Sequence, residues 1–240
     1  MRKNVKQQLA LRVLSTAALM AMVSSIATAA FAEEYNLNTG SVTVETKDDG
    51  ITYVTQANTE TTNHPDTTGV TITSNGEETS NTITVETAKD QTTNVTLDKV
   101  HIEVDTTKAK SGAIEIKGDG NTNLELNGNN TVLVESQWGD ERAAIEKADT
   151  YGKEGTLTIK DDVNDDGSKK TGTDKDTTGT LLAGGYHDSA AIGGGGGEFA
   201  NTSNIIITGG EITASGGSYG AGIGGGYAGD ASNIRIEGNA

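Results

Sequence analysis

The chain has 240 residues, no cysteine, one tryptophan and a formal net charge of −16. The missing cysteines exclude a disulfide scaffold, thiol chemistry and cysteine-ligated zinc. The acidic balance excludes nucleic acid and anionic lipid as direct partners, and hydrophobic residues at 33%, mostly Val, Ile, Leu and Ala, suit a thin core of stacked small side chains.

Residues 1–32 differ from the rest. Arg2, Lys3, Lys6 and Arg12 precede an apolar run from Val13 to Ala30, and Ala30-Phe31-Ala32 has the small-x-small form of a signal-peptidase site. The reading is a cleaved signal peptide and a secreted or cell-surface protein, with no membrane insertion once the signal is removed. Cleavage removes four of the 18 Lys+Arg and none of the 34 Asp+Glu, leaving 14 against 34 and a net charge of −20.

Residues 33–90 carry short alternating runs, such as Ser41–Glu45 and Asn81–Glu86, without a regular spacing. They read as an N-terminal β cap with an irregular first coil. His64-Pro65-Asp66, which holds the sole proline, reads as a turn.

From residue 91 to 240 the alternating runs acquire a period. Ile114 to Ile145 and Ile192 to Ile223 each span 31 positions; Leu97 to Leu126 and Ile207 to Ile236 each span 29. Ile145 to Ile192 spans 47, an excess of 16, which is the length of the polar tract 161–176, DDVNDDGSKKTGTDKD. A period that survives an insertion is a structural repeat. Each repeat holds three short strands, for example Ala113–Ile116, Asn123–Leu126 and Thr131–Glu135. Three strands per ~30-residue coil predict an all-β right-handed parallel β-helix, or β-solenoid, because parallel crossovers take the right hand. Ile114, Ile145, Ile192 and Ile223 are expected to stack in one ladder. Leu97, Leu126, Ile159, Ile207 and Ile236 are expected in another. The coils are expected to continue beyond Ala240, since the repeat is still running there.

Eighteen of the 32 glycines lie from Gly184 onward. Gly220, Gly222 and Gly225 spell G-x-G-x-x-G, but the strand–turn–helix context of a nucleotide loop is missing, so they read as turn residues. The runs AAIGGG at Ala190–Gly195 and GAGIGGG at Gly220–Gly226, followed by NIIITGGEITASGG and NIRIEG, resemble the Gly-rich repeats of secreted Gram-positive surface proteins. In particular they resemble the carbohydrate-binding right-handed β-helix family. The resemblance covers about residues 179–240. It implies binding of plant or acidic polysaccharide, with calcium in the helix and contact with the cell wall.

Three groups of residues are candidates for chemistry. Trp138, Tyr186 and Tyr219 each precede a repeat isoleucine, and Tyr151, Phe199 and Tyr227 each follow one. Stacked coils would turn each set into a row of rings, and sugar faces stack on rings; the same rings could equally pack on each other over the turns. Asp162, Asn164 and Asp166 with Gly167 match the first half of a calcium loop; its twelfth position is Thr173, and Asp174 next to it is the substitute ligand. Asp140 and Asp188 suggest a second cation site between coils. Arg142, beside Trp138, Asp140 and Glu141, is the one constellation that suits an acid–base enzyme, and His64, His101 and His187 lie in unlike contexts. The favoured reading is a noncatalytic polysaccharide-binding β-helix with no catalytic residue. A structural stalk or adhesin region is the alternative, and a polysaccharide lyase the second.

Overall fold

Alternation decides which face each strand buries. In Thr92–Asp98 the side chains of Thr93, Val95 and Leu97 are buried while Thr92 and Asn94 are exposed. In His101–Asp105 only Ile102 and Val104 are buried. β-branched residues at period two leave one apolar face per strand, and such a face must meet another sheet.

A computed structural model describes residues 33–67, 69–135, 141–162 and 179–237. Its strands form a right-handed parallel β-helix of three sheets. Each coil visits the sheets in turn. One coil runs Ile83–Thr87, Thr92–Asp98, His101–Asp105; the next runs Ile114–Lys117, Asn121–Asn127, Asn129–Glu135. The third runs Ile145–Glu146, Leu157–Lys160, Thr180–Gly184, and the fourth Ile192–Gly193, Thr202–Ile207, Glu211–Ser215. Ile223–Gly224 and Ala231–Ile236 follow. We call the sheets 1, 2 and 3 in this order.

Sheet 1 carries the isoleucine ladder as expected: Ile83, Ile114, Ile145, Ile192 and Ile223 are successive partners. In sheet 2 the expected ladder holds in pieces. Leu97 pairs with Leu126, and Ile207 with both Ile159 and Ile236, but Ile159 pairs with Leu124 rather than Leu126. The slip comes from the corner between sheets 1 and 2. Where Ile114 and Leu124 are ten positions apart, Ile145 and Ile159 are fourteen, and a 3₁₀ turn at Asp149–Tyr151 takes up the extra chain. A slip of two residues keeps every side chain on its own face, so the core does not register it.

The described part of 33–90 also enters the sheets. Val42–Thr46 pairs in parallel with Ile83–Thr87, and Val70–Thr73 lies between Glu33–Asn36 and Thr92–Asp98. Sheet 1 then continues in antiparallel fashion through Thr52–Gln56 and His64–Asp66. His64-Pro65-Asp66 is thus a strand and not a turn. It sits at the sheet edge, where a residue without an N–H breaks no ladder. One single-turn helix, Thr106–Ala109, is capped by the Asp105 carboxylate, which accepts from the Thr107 N–H.

Corners are held by buried polar side chains. Asn130 accepts the Val100 N–H through Oδ1 and donates through Nδ2 to the carbonyls of Asn127, Gly128 and Thr180, which ties three coils at one corner. At the corner between sheets 1 and 2 the hydroxyls of Thr46, Thr87, Thr93 and Thr122 bond one another. A buried hydroxyl costs stability unless partnered, and stacked coils supply the partner from the same position one coil away. Residues 163–176 of the inserted tract lie outside the described residues. On its two sides the Gly179 N–H donates to Asp161 Oδ2 at 3.1 Å, and Thr180–Gly184 takes its place in sheet 3 between Asn129–Glu135 and Glu211–Ser215.

Candidate functional site

Sheet 1 narrows along the solenoid. Its strands fall from five residues in Ile83–Thr87 to two in Ile145–Glu146, Ile192–Gly193 and Ile223–Gly224. In the last two coils a turn closes around the isoleucine: the Ala190 N–H donates to the Gly194 carbonyl at 2.9 Å, and the Ala221 N–H to the Gly225 carbonyl at 3.1 Å. Gly193 and Gly224 have φ of 133° and 142°, and a Cβ on Gly193 would overlap the Gly224 carbonyl, so this vertex requires glycine. The narrow vertex draws together the segments before and after each isoleucine, which the sequence treats as separate corners.

Under one part of this vertex lies a buried ionic cluster. Glu115 and Glu146 are strand neighbours in sheet 1, and both are buried. Arg142 donates to both oxygens of Glu146 from Nε, at 3.0 and 2.9 Å, and from Nη2 to Glu146 Oε1 and Glu115 Oε1, each at 2.7 Å. Its Nη1 reaches the Lys110 carbonyl at 3.1 Å, and Nη2 also bonds the Tyr151 hydroxyl. Lys117 pairs with the other oxygen of Glu115 at 2.8 Å. Burial pushes the Glu146 carboxyl up to about 7, although Arg142 and the Ala143 N–H pull it down. Tyr151 and Phe199, 5.3 Å apart between ring centres, roof the guanidinium, with Phe199 4.1 Å above it. A Cβ on Gly195 would press on Glu146 Oε2, so this glycine, too, makes room for the cluster. Lys147 is also buried; burial lowers its pKa, and its ammonium donates to the Gly152 carbonyl at 2.9 Å. Its ladder position is that of Ile116 one coil earlier, so its stem runs through the apolar interior.

On the solvent side the same vertex carries exposed rings. Tyr186, Tyr219 and Tyr227 are 48%, 62% and 56% exposed, enough for a ligand to reach their faces. Tyr219 and Tyr227 meet edge-on at 5.7 Å, and Tyr219 meets His187 at 5.6 Å. The Tyr219 N–H donates to the His187 carbonyl, so in the stack Tyr219 follows His187 rather than Tyr186. Beside them Glu141, His187 and Asp188 place one ligand atom each within 4.8 Å of one another. His187 Nδ1 lies 2.7 Å from Asp188 Oδ1.

The six rings singled out from sequence therefore separate. Tyr151 and Phe199 cover Arg142; Tyr186, Tyr219 and Tyr227 face solvent; Trp138 and Asp140 lie outside the described residues. Of the calcium-loop residues, Asn164, Asp166 and Asp174 lie outside them as well, and Asp162 pairs with Lys160 at 2.8 Å. A second His–carboxylate group, Glu78, His101 and Glu103, lies on the outer side of sheet 3, where burial and the neighbouring carboxylates of Glu78 and Glu135 raise the Glu103 pKa. Sequence reasoning missed Glu115 and Glu146 as partners of Arg142, and Glu141 and His187 as neighbours of Asp188. One signal was present: Glu141 and Asp188 each stand four positions before a ladder isoleucine. Two grooves, of about 360 and 340 Å³, lie near Lys47–Lys89 and near Thr52–Thr92, away from the exposed rings.

Among the described residues no helix is long and apolar enough to cross a membrane. No family model, curated protein or solved structure matches the chain.

Proposed function

We propose that the chain is an exported, noncatalytic protein that holds an extended polysaccharide along the edge formed by Tyr186, Tyr219 and Tyr227. The observation that carries this reading is the exposure of three tyrosine rings at one vertex of a solenoid whose backbone is fixed coil to coil. Sugar C–H faces stack on such rings. Arg142, the base a lyase would need, is already held by two carboxylates, and that favours binding over cleavage. An acidic glycan would need a cation to bridge it to so acidic a chain, and calcium in the Asp162–Asp174 tract is our proposal for that bridge.

The test is retention in gels containing defined polysaccharides, with calcium and with chelator. Tyr219→Ala together with Tyr227→Ala should abolish retention while the far-ultraviolet circular dichroism stays β-type. Retention unchanged by the double substitution would remove the tyrosine edge from the ligand site. New reducing ends or unsaturated products would make the protein an enzyme. The stalk reading prevails if no polysaccharide is retained at all.

A further inference from the structure

We infer that Glu141, His187 and Asp188 form a binding site for one divalent transition-metal ion of the zinc class. The site goes beyond the polysaccharide reading and does not depend on it.

The ladder sets the geometry. Ile145 and Ile192 are partners in sheet 1, and Glu141 and Asp188 stand four positions before them, on adjacent coils. His187 precedes Asp188 with φ of 48°, a left-handed conformation. All three residues are half-buried, and their three ligand atoms lie within 4.8 Å of one another. An ion about 2.0–2.2 Å from each of three N or O ligands holds those atoms no more than about 4.4 Å apart. His187 Nδ1 and Asp188 Oδ1 already lie 2.7 Å apart, and an ion between them would replace that direct contact.

The backbone behind each ligand is fixed by a different segment. The Gly196 N–H donates to the Glu141 carbonyl at 2.6 Å, the Tyr219 N–H to the His187 carbonyl at 2.9 Å, and the Tyr227 N–H to the Asp188 carbonyl at 2.7 Å. Sites held this way lose little entropy on binding.

The donor set selects the metal. Calcium and magnesium take oxygen ligands; an imidazole nitrogen with two carboxylates suits zinc and its first-row neighbours. Charge agrees. Two carboxylate ligands and one imidazole nitrogen bring −2 to a bound ion, which a divalent cation cancels. Three protein ligands leave a coordination position for an outside group. An ion here would also tie the coil of Ile145 to the coil of Ile192.

The experiment uses the full chain, stripped with chelator, and zinc alone. Isothermal titration should find one zinc per chain at this site. His187→Gln and Asp188→Asn should each weaken it at least tenfold, and Glu141→Gln should weaken it too, while His101→Gln, in the other His–carboxylate group, should not. Zinc should raise the melting temperature of the parent protein and lose that effect in His187→Gln. X-ray absorption should show one imidazole nitrogen on the metal. The inference is overturned if no zinc binds, if all three variants bind as the parent does, or if binding is lost only in His101→Gln. Three separate near-isosteric variants, each checked by circular dichroism, keep the result readable even if one misfolds. Because no glycan enters this assay, its failure leaves the polysaccharide reading untouched, and the reverse holds.

Discussion

Tyr151 and Phe199 meet at 5.3 Å between ring centres, and Tyr219 and Tyr227 at 5.7 Å. The two pairs lie near the same narrow vertex, yet the first is half-buried over a guanidinium and the second is more than half exposed. What lies beneath the two pairs differs. Below Tyr151 and Phe199, Glu115 and Glu146 occupy successive positions of one ladder, and Arg142 must be kept dry to hold them. One and two coils further on, the same ladder positions are Gly193 and Gly224. There Tyr219 and Tyr227 stand beside His187 and Asp188 with their rings toward solvent. Proximity of rings in a repeat therefore does not by itself identify a ligand edge.

The largest effect should come from taking the guanidinium out of the first region. Arg142→Met keeps the bulk and leaves Glu115 and Glu146 buried without their cation. Removing one partner of a buried ion pair costs about 3–5 kcal/mol. Urea denaturation should show a loss of that size, and adding Glu146→Gln to Arg142→Met should recover part of it. Equal stability of Arg142→Met and the parent would mean that the rings, not the charges, hold this vertex.

A smaller effect should follow pH. The Glu146 carboxyl is raised in the fold from 4.5 to about 7, with burial the leading cause. The folded state therefore holds a proton that the unfolded state gives up between these values. That contribution is fully present below about pH 4.5 and is lost as pH rises through about 7. At 1.36 kcal/mol per unit it amounts to about 3 kcal/mol. The melting temperature should fall between about pH 4.5 and 7, and Glu146→Gln should flatten that fall. A melting temperature that rises across this window would show that Arg142, not burial, governs the carboxyl.

The sequence makes the repeat legible because identity of face survives in it: a buried isoleucine recurs wherever sheet 1 passes, and an insertion only delays it. It conceals the slip at Ile159, because moving by two residues changes partners and no face. It also conceals the cluster at Arg142. Glu115 is 27 positions from Arg142, and its outward place on a strand looks like that of any solvated glutamate. The exposed rings show the same limit. Tyr186 and Tyr219 both precede a ladder isoleucine, but by six and four positions, and the register from the Gly184–Ser215 pair to the Ile192–Ile223 pair is unbroken, so Tyr219 comes to rest beside His187 rather than over Tyr186. Pro65 is read as a turn on composition because its edge position depends on a meander that the repeat does not contain.

The smallest effect on stability is expected from the second region, and it is the one that bears on function. Tyr219 and Tyr227 share one edge-on contact, worth about 0.5–1.5 kcal/mol when buried and less at their exposure. Tyr219 also meets His187 edge-on at 5.6 Å. Tyr219→Ala should therefore leave urea stability within about 0.5 kcal/mol of the parent, as surface substitutions do. Phe199→Ala, over Arg142, should cost several times more, because it opens a buried ion pair to water as well as removing ring contact. If the tyrosine edge is the glycan site, the order inverts in the retention assay: Tyr219→Ala releases the polysaccharide, and Phe199→Ala keeps it at temperatures where the variant is folded. Equal stability losses for Tyr219→Ala and Phe199→Ala would mean that the later coils conceal a load of their own beneath the rings, and the contrast between the two regions would fall.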